Sequence, residues 1–331
     1  MASIKLKGDT SGELTITVPA VAGTNTLTLP ASTGSIIVNT TGGDETNTGF
    51  GNDALDAITT GSNNSAFGAD ALGANTEGAS NVAVGEAAMD ANTTGGSNVA
   101  VGRDALGANT SGSFNQAFGR NALLTNTTGQ YNNAFGNDAL KVNTASSNSA
   151  FGHAALVANT TGALNTAVGA NALSSNISGG DNVAVGNNAL TVSTGSRNTA
   201  LGYNAMTDTT SGQDNTAVGF GSLGNNTTAS NNTAVGRSAL SANTTGYNNA
   251  ALGSGAASGL TTGGDNVAVG FNTMLATVTG NENTAIGNDS LKALTTGNNN
   301  VAAGANALAA NTTGTNNVAI GESAALAATT S

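Results

Sequence analysis

From residue 47 onward, apolar and polar positions return in a fixed phase. The unit reads Asn-x-Ala-[Val/Phe]-Gly-x-x-Ala-Leu-x-x-Asn-Thr-Thr-Gly-x-x, here numbered positions 1 to 17 from the first Asn. Asn98-Val99-Ala100-Val101-Gly102 and Asn232-Thr233-Ala234-Val235-Gly236 are good copies of its opening. In Val99-Ala100-Val101 the two valines point one way and Ala100 the other, as a strand requires. The Ala-Leu step, Ala105-Leu106 or Ala239-Leu240, supplies a second apolar site ending four residues past the glycine. A Gly and several β-branched residues in every unit argue against helix.

The glycine returns at Gly51, Gly68, Gly85, Gly102, Gly119, Gly136, Gly152, Gly169, Gly186, Gly202, Gly219, Gly236, Gly253, Gly270, Gly287, Gly304 and Gly321, with fourteen spacings of 17 residues and two of 16. Four residues before each stands an asparagine: Asn47, Asn64, Asn81, Asn98, Asn115, Asn132, Asn148, Asn165, Asn182, Asn198, Asn215, Asn232, Asn249, Asn266, Asn283, Asn300 and Asn317. A short period held this long predicts an all-β parallel β-solenoid, or β-roll, of about 17 coils. Coils about 4.8 Å apart would make a rod roughly 80 Å long. The asparagines are expected to form a structural ladder, each amide bonding the copies above and below. The alternative is an Asn that merely occupies a turn with positive φ; a turn would admit Gly or Asp in some copies, which favours the ladder. The two 16-residue copies lose a residue around Lys141–Ser147 and Thr191–Arg197, which places a bend there.

Residues 1–44 follow another pattern. Leu14, Ile16 and Val18 alternate with Thr15 and Thr17, Leu27 and Leu29 alternate with Thr26 and Thr28, and Ile36-Ile37-Val38 follows. Turn signals at Asp9–Gly12, Pro19–Gly23 and Pro30–Gly34 separate these short strands. The expected organisation is an N-terminal β module over 1–44, ending in a linker at Thr40–Asp44, and a repeat shaft over 45–331.

Composition agrees with a narrow coil. Trp and Cys are absent, aromatic residues are 3%, and 47 glycines are present among the 331 residues. Large side chains are too few to offset the ordering of each coil, so the sequence predicts a homo-oligomer. Three chains, intertwined or side by side, would let the Val/Phe and Leu faces meet in a shared core. Charged residues are 8% and the net charge of −11 is spread thinly. No basic patch exists for nucleic acid, and no run of about 20 apolar residues exists for membrane insertion. The first residues lack the apolar stretch of a secretory signal, which implies assembly in a cytoplasm.

Candidate chemistry is sparse. Gly219-Phe220-Gly221-Ser222-Leu223-Gly224 matches a dinucleotide fingerprint in letters, but it keeps the phase of the repeat and opens no helix. His153 is the only histidine, so neither a triad nor a histidine metal cluster can be built. Asp53, Asp70, Asp104, Asp138 and Asp289 share position 7; an Asx turn explains them better than a row of cation ligands. Asn-Thr-Thr at Asn92, Asn126, Asn159, Asn243 and Asn311 fits the glycosylation pattern but reads better as bend chemistry. Rows of Thr93, Thr110, Thr127, Thr144 and Thr160 are similar to ice-binding solenoids, although adjacent threonines point to opposite faces. No unit departs from the pattern to supply a carboxylate pair. The expectation is a protein that is not an enzyme, with no catalytic residue, cofactor or metal.

Asn-Val-Ala-Val-Gly, at 81–85, 98–102, 182–186 and 266–270, resembles the head repeat of YadA-like trimeric autotransporter adhesins. The resemblance covers residues 47–326 and implies a trimeric, left-handed parallel β-roll; the longer unit here adds the Asn-Thr-Thr-Gly bend. The string Val18 to Pro30, followed by Thr33-Gly34, is similar to the opening of tail-fibre and other virion appendage proteins of bacteriophages. An autotransporter would also carry a signal peptide, a coiled-coil stalk and a membrane anchor, which the sequence does not offer. Together the resemblances imply a phage fibre in the virion. Residues 1–44 would join other virion tail proteins, a tip protein would sit at the C-terminal end, and a host cell-surface glycan or protein would be the receptor. The alternative is a bacterial surface adhesin or extracellular filament subunit.

Overall fold

A computed structural model of the chain describes residues 3–7, 13–17, 35–38 and 47–329. Two compact units are present, Met1–Gly34 and Ser35–Ser331. In the first, β1 (Ser3–Lys7) pairs antiparallel with β2 (Glu13–Thr17), placing Ile4 opposite Ile16 and Leu6 opposite Leu14. The strand expected at Leu27–Leu29, the three expected turns and the linker at Thr40–Asp44 lie outside the described residues.

The second unit is a parallel β-solenoid. It opens with β3 (Ser35–Val38), antiparallel to β4 (Thr48–Gly51). From β4 the ladder is parallel throughout, one strand per coil, to β20 (Val318–Ile320). The register superposes like on like: Ala100 lies between Ala83 and Ala117. No pairing joins β20 to β3 among the described residues, so the strands form an open stack rather than a closed barrel. The pairing of β3 with β4 places residues 35–38 with the coils, and the division between units falls after Gly34.

Each coil has two limbs. Positions 2–4 form the strand. Positions 5–12 form consecutive turns in which Ala105, Gly107 and Asn109 donate their N–H groups to the carbonyls of Gly102, Asp104 and Leu106. The intervening N–H groups reach other coils: Asp104 to Glu86 O, Leu106 to Ala122 O and Ala108 to Leu124 O, at 2.8 to 3.0 Å. Turn and ladder thus share the donors of this limb, which is how an irregular segment can sit against a core.

This limb demands positive φ at positions 7 and 9, as at Asp104 (57°) and Leu106 (54°). Asp, Asn and Gly at position 7 follow directly, because they tolerate the left-handed region. Position 9 is Leu, Met or Ala in every coil and never Val or Ile; a β-branched side chain is a strong outlier there. The repeat glycine has a stricter reason. Gly102 has φ 133°, and a Cβ on it would stand 2.6 Å from Gly119 O in the next coil.

The core corrects one expectation. Ala100, Ala105 and Leu106, and their apolar counterparts in the coils before the last, are buried inside a single coil, whereas Val82 and Val84 are each 37% exposed. The small strand residue points inward and the large ones outward. Leu therefore does not await a shared core; one chain encloses it, because alanine brings the strand limb close enough to pack on the turn limb. The Val/Phe row remains outside.

Candidate functional site

Two columns of buried asparagine run through the stack. The first is the ladder at position 1. Asn182 shows its bonding: its main-chain N–H donates to Asn165 Oδ1 (3.1 Å), and its Nδ2 donates to Asn165 Oδ1 (3.1 Å) and to Gly195 O (3.0 Å). Its own Oδ1 accepts the main-chain N–H of Asn198 at 2.9 Å. The link from main-chain N–H to the preceding Oδ1 joins every neighbouring pair from Asn47 to Asn317 at 2.9 to 3.1 Å, across both short coils.

The second column is at position 12, the Asn of Asn-Thr-Thr, which the sequence reading treated only as bend chemistry. Asn92 Nδ2 donates to Asn75 Oδ1 (2.8 Å) and to Gly95 O (3.0 Å), and the pattern repeats at Asn109, Asn159 and Asn176. The visible signal was the period itself: these asparagines recur in the same phase as the first set. They are buried, as are Asn126, Asn243 and Asn311, so their amides do not present themselves to a glycosyl donor.

This column is interrupted. Asn126 Oδ1, Asn176 Oδ1 and Asn243 Oδ1 are buried without a partner. Each precedes a break. Asn143 lies in a short coil, where its Nδ2 donates to Ala145 O (2.8 Å) and not to Asn126 Oδ1. Ser193 follows Asn176, and Leu260 follows Asn243. Leu260, Val278 and Leu294 then form an apolar stretch of the interior. Both short coils omit position 14: Asn132 and Asn182 reach Ala145 O and Gly195 O thirteen residues on, instead of fourteen. That position is exposed in full coils, as at Thr94 and Ser111, so its loss leaves the interior register intact.

On the outer side of the strand, position 4 is apolar in every coil, from Phe50 through Val101 and Val218 to Ile320. Phe118, Phe135 and Phe151 stack face to face within this row, with centroids 4.6 and 4.9 Å apart. Single exposed apolar residues are ordinary, but a continuous file is not.

Gly219 to Gly224 form part of an ordinary coil with Leu223 buried. His153 is exposed at position 6. Among the described residues no three His, Asp or Glu side chains gather to hold a metal ion, and no helix is long and apolar enough to cross a membrane. The threonine hydroxyls at position 13 donate within the protein, as Thr93 Oγ1 does to Thr110 O (3.0 Å). Surface charges pair locally. Arg197 holds the Asp214 carboxyl below its ordinary value. The Asn121 amide, with Lys141, does the same for Asp138. Partial burial and the neighbouring Asp70 push Asp90 up.

No protein-family model, curated protein or solved structure matches this chain.

Proposed function

We propose that this chain is the structural shaft of a phage virion fibre, built as a homotrimer and contributing to attachment at the host surface. The observation that carries the reading is the unbroken apolar file at position 4, which runs along the outer side of the strand ladder from the first coil to the last. Such a file is complementary to a second copy of itself, and symmetric association covers it on every protomer. A strip about 80 Å long and 10 Å wide offers roughly 800 Å² per partner, the size of a standard stable interface. The opening segment, similar to those of phage appendage proteins, supports attachment through residues 1–44 to other tail proteins.

Sedimentation of the purified chain tests the association: the expected mass is three times 31.7 kDa. Val218→Lys with Val235→Lys should return the monomer mass with the β-sheet spectrum unchanged, since both side chains lie outside the coil. A wild-type monomer would remove the shared-interface argument. The resemblance of the repeat to autotransporter heads favours a second reading, a bacterial surface adhesin. Antibody to the repeats, followed by negative-stain microscopy, separates the two: label on virions supports the fibre, and label on cells alone ends it.

A further inference from the structure

One stretch along the second column brings unpartnered polar atoms and small side chains together. Along the second column, Asn176 is followed by Ser193 and Thr209 before asparagine returns at Asn226. All four are wholly buried. Asn176 Oδ1 and Thr209 Oγ1 have no protein partner. Ser193 Oγ accepts the Gly195 N–H at 3.2 Å, which leaves its proton to donate elsewhere. Asn226 Nδ2 donates to Ala229 O at 3.1 Å and has a second proton. Two successive amides have thus been replaced by hydroxyl side chains in a column whose other buried breaks, at Leu260, Val278 and Leu294, are apolar.

We propose that this stretch is an internal hydration site, in which water bridges Asn176 Oδ1 to Ser193 Oγ and Ser193 Oγ to Thr209 Oγ1. A buried water requires two to four polar partners and room for roughly 30 Å³. Ser193 is smaller than the asparagine found at this position in neighbouring coils, and the orphaned oxygens and spare protons supply the partners. The other two breaks lack this combination. At Asn126 the next residue is a full-sized asparagine, and at Asn243 the next is Leu260, which fills the column with carbon. Water replaces a direct amide-to-amide link here, so the coils around Ser193 and Thr209 are where the shaft opens most readily.

The test uses the full chain. A high-resolution crystal structure should show ordered water within hydrogen-bond distance of Asn176 Oδ1 and Thr209 Oγ1; a dry column there overturns the site. Amide hydrogen exchange should be about tenfold faster in coils 182–212 than in coils 81–114. The coil at 132–147 is the control, because it has the same one-residue deletion without the hydroxyl substitutions. If it exchanges as fast as the coil at 182–197, the deletion is the cause and the proposal fails. Ser193→Asn combined with Thr209→Asn should re-link the column, expel the water and slow exchange to the rate of coils 81–114. Unchanged exchange and retained water in that variant would also overturn it.

Discussion

The two asparagine columns pass through the same coils, yet the first is Asn in every copy while the second admits Ser, Thr, Leu and Ile. Both are buried and both bond along the stack. What differs is the partner. In the first column each Oδ1 accepts a main-chain N–H of the next coil, and that donor has no substitute if the amide is removed. In the second column the Oδ1 atoms that bond between coils, those of Asn75, Asn92, Asn109, Asn143, Asn159 and Asn226, accept a side-chain amide that also bonds a carbonyl of its own coil; those of Asn126, Asn176 and Asn243 have no partner, and Asn311 Oδ1 accepts the Gly314 N–H of its own coil. A side chain that satisfies the main chain is dictated by the fold; a side chain that satisfies its own kind can be exchanged with it.

Asn165→Leu should break the comparison most severely. It orphans the Asn182 N–H and removes a donor from Gly179 O. The expected cost is about 2–4 kcal/mol, read from urea unfolding; a cost below about 1 would mean that the ladder is decorative. Leu173→Ile extends the logic from hydrogen bonds to dihedrals. Leu173 has φ 52°, so the β-branched isomer should lose about 2 kcal/mol while Leu173→Met stays within about 1. Equal losses for Ile and Met would show that volume, not backbone, selects the residue.

Asn159→Leu is the matched test in the second column. Asn143 Oδ1 and Gly162 O keep Asn148 Nδ2, and Asn176 Nδ2 keeps Gly179 O. The expected loss is at most about 1 kcal/mol, and a loss equal to that of Asn165→Leu would erase the distinction between the columns. The smallest effect lies on the surface, where Asn121 Nδ2 donates to Asp138 Oδ1 at 2.9 Å. The Asp138 carboxyl is held below its ordinary value of 3.8, first by this bond and then by Lys141. Its contribution is present above about pH 4 and is lost as pH falls through the lowered value. Acid titration of stability should show a slope of a few tenths of a kcal/mol that Asp138→Asn abolishes.

Much of this architecture was legible in the residues. The glycine period gave the coil, because Gly102 occupies a conformation and a clearance that a Cβ would violate. The alternation in Val99-Ala100-Val101 gave the strand. The first asparagine column was readable because it never varies. The second was obscured by its substitutions and by the Thr-Thr that follows it, which has the look of a solvent-facing bend. The positive φ at Leu106 was not legible at all, since leucine has no preference for it. Only the exclusion of Val and Ile from that position carries the trace.

The sequence by itself determined the period, the single strand in each coil and the invariant glycine and asparagine, because each answers a local demand of backbone geometry repeated without change. It left open which side of the strand faces inward, since alternation looks the same from both sides. The tertiary structure decided that, turning Ala100 in and Val101 out, because the space between limbs is set by the turn segment that buries Leu106 and admits little more than a methyl group opposite it. It also decided where the second column breaks, which depends on what each amide meets in the coil beyond.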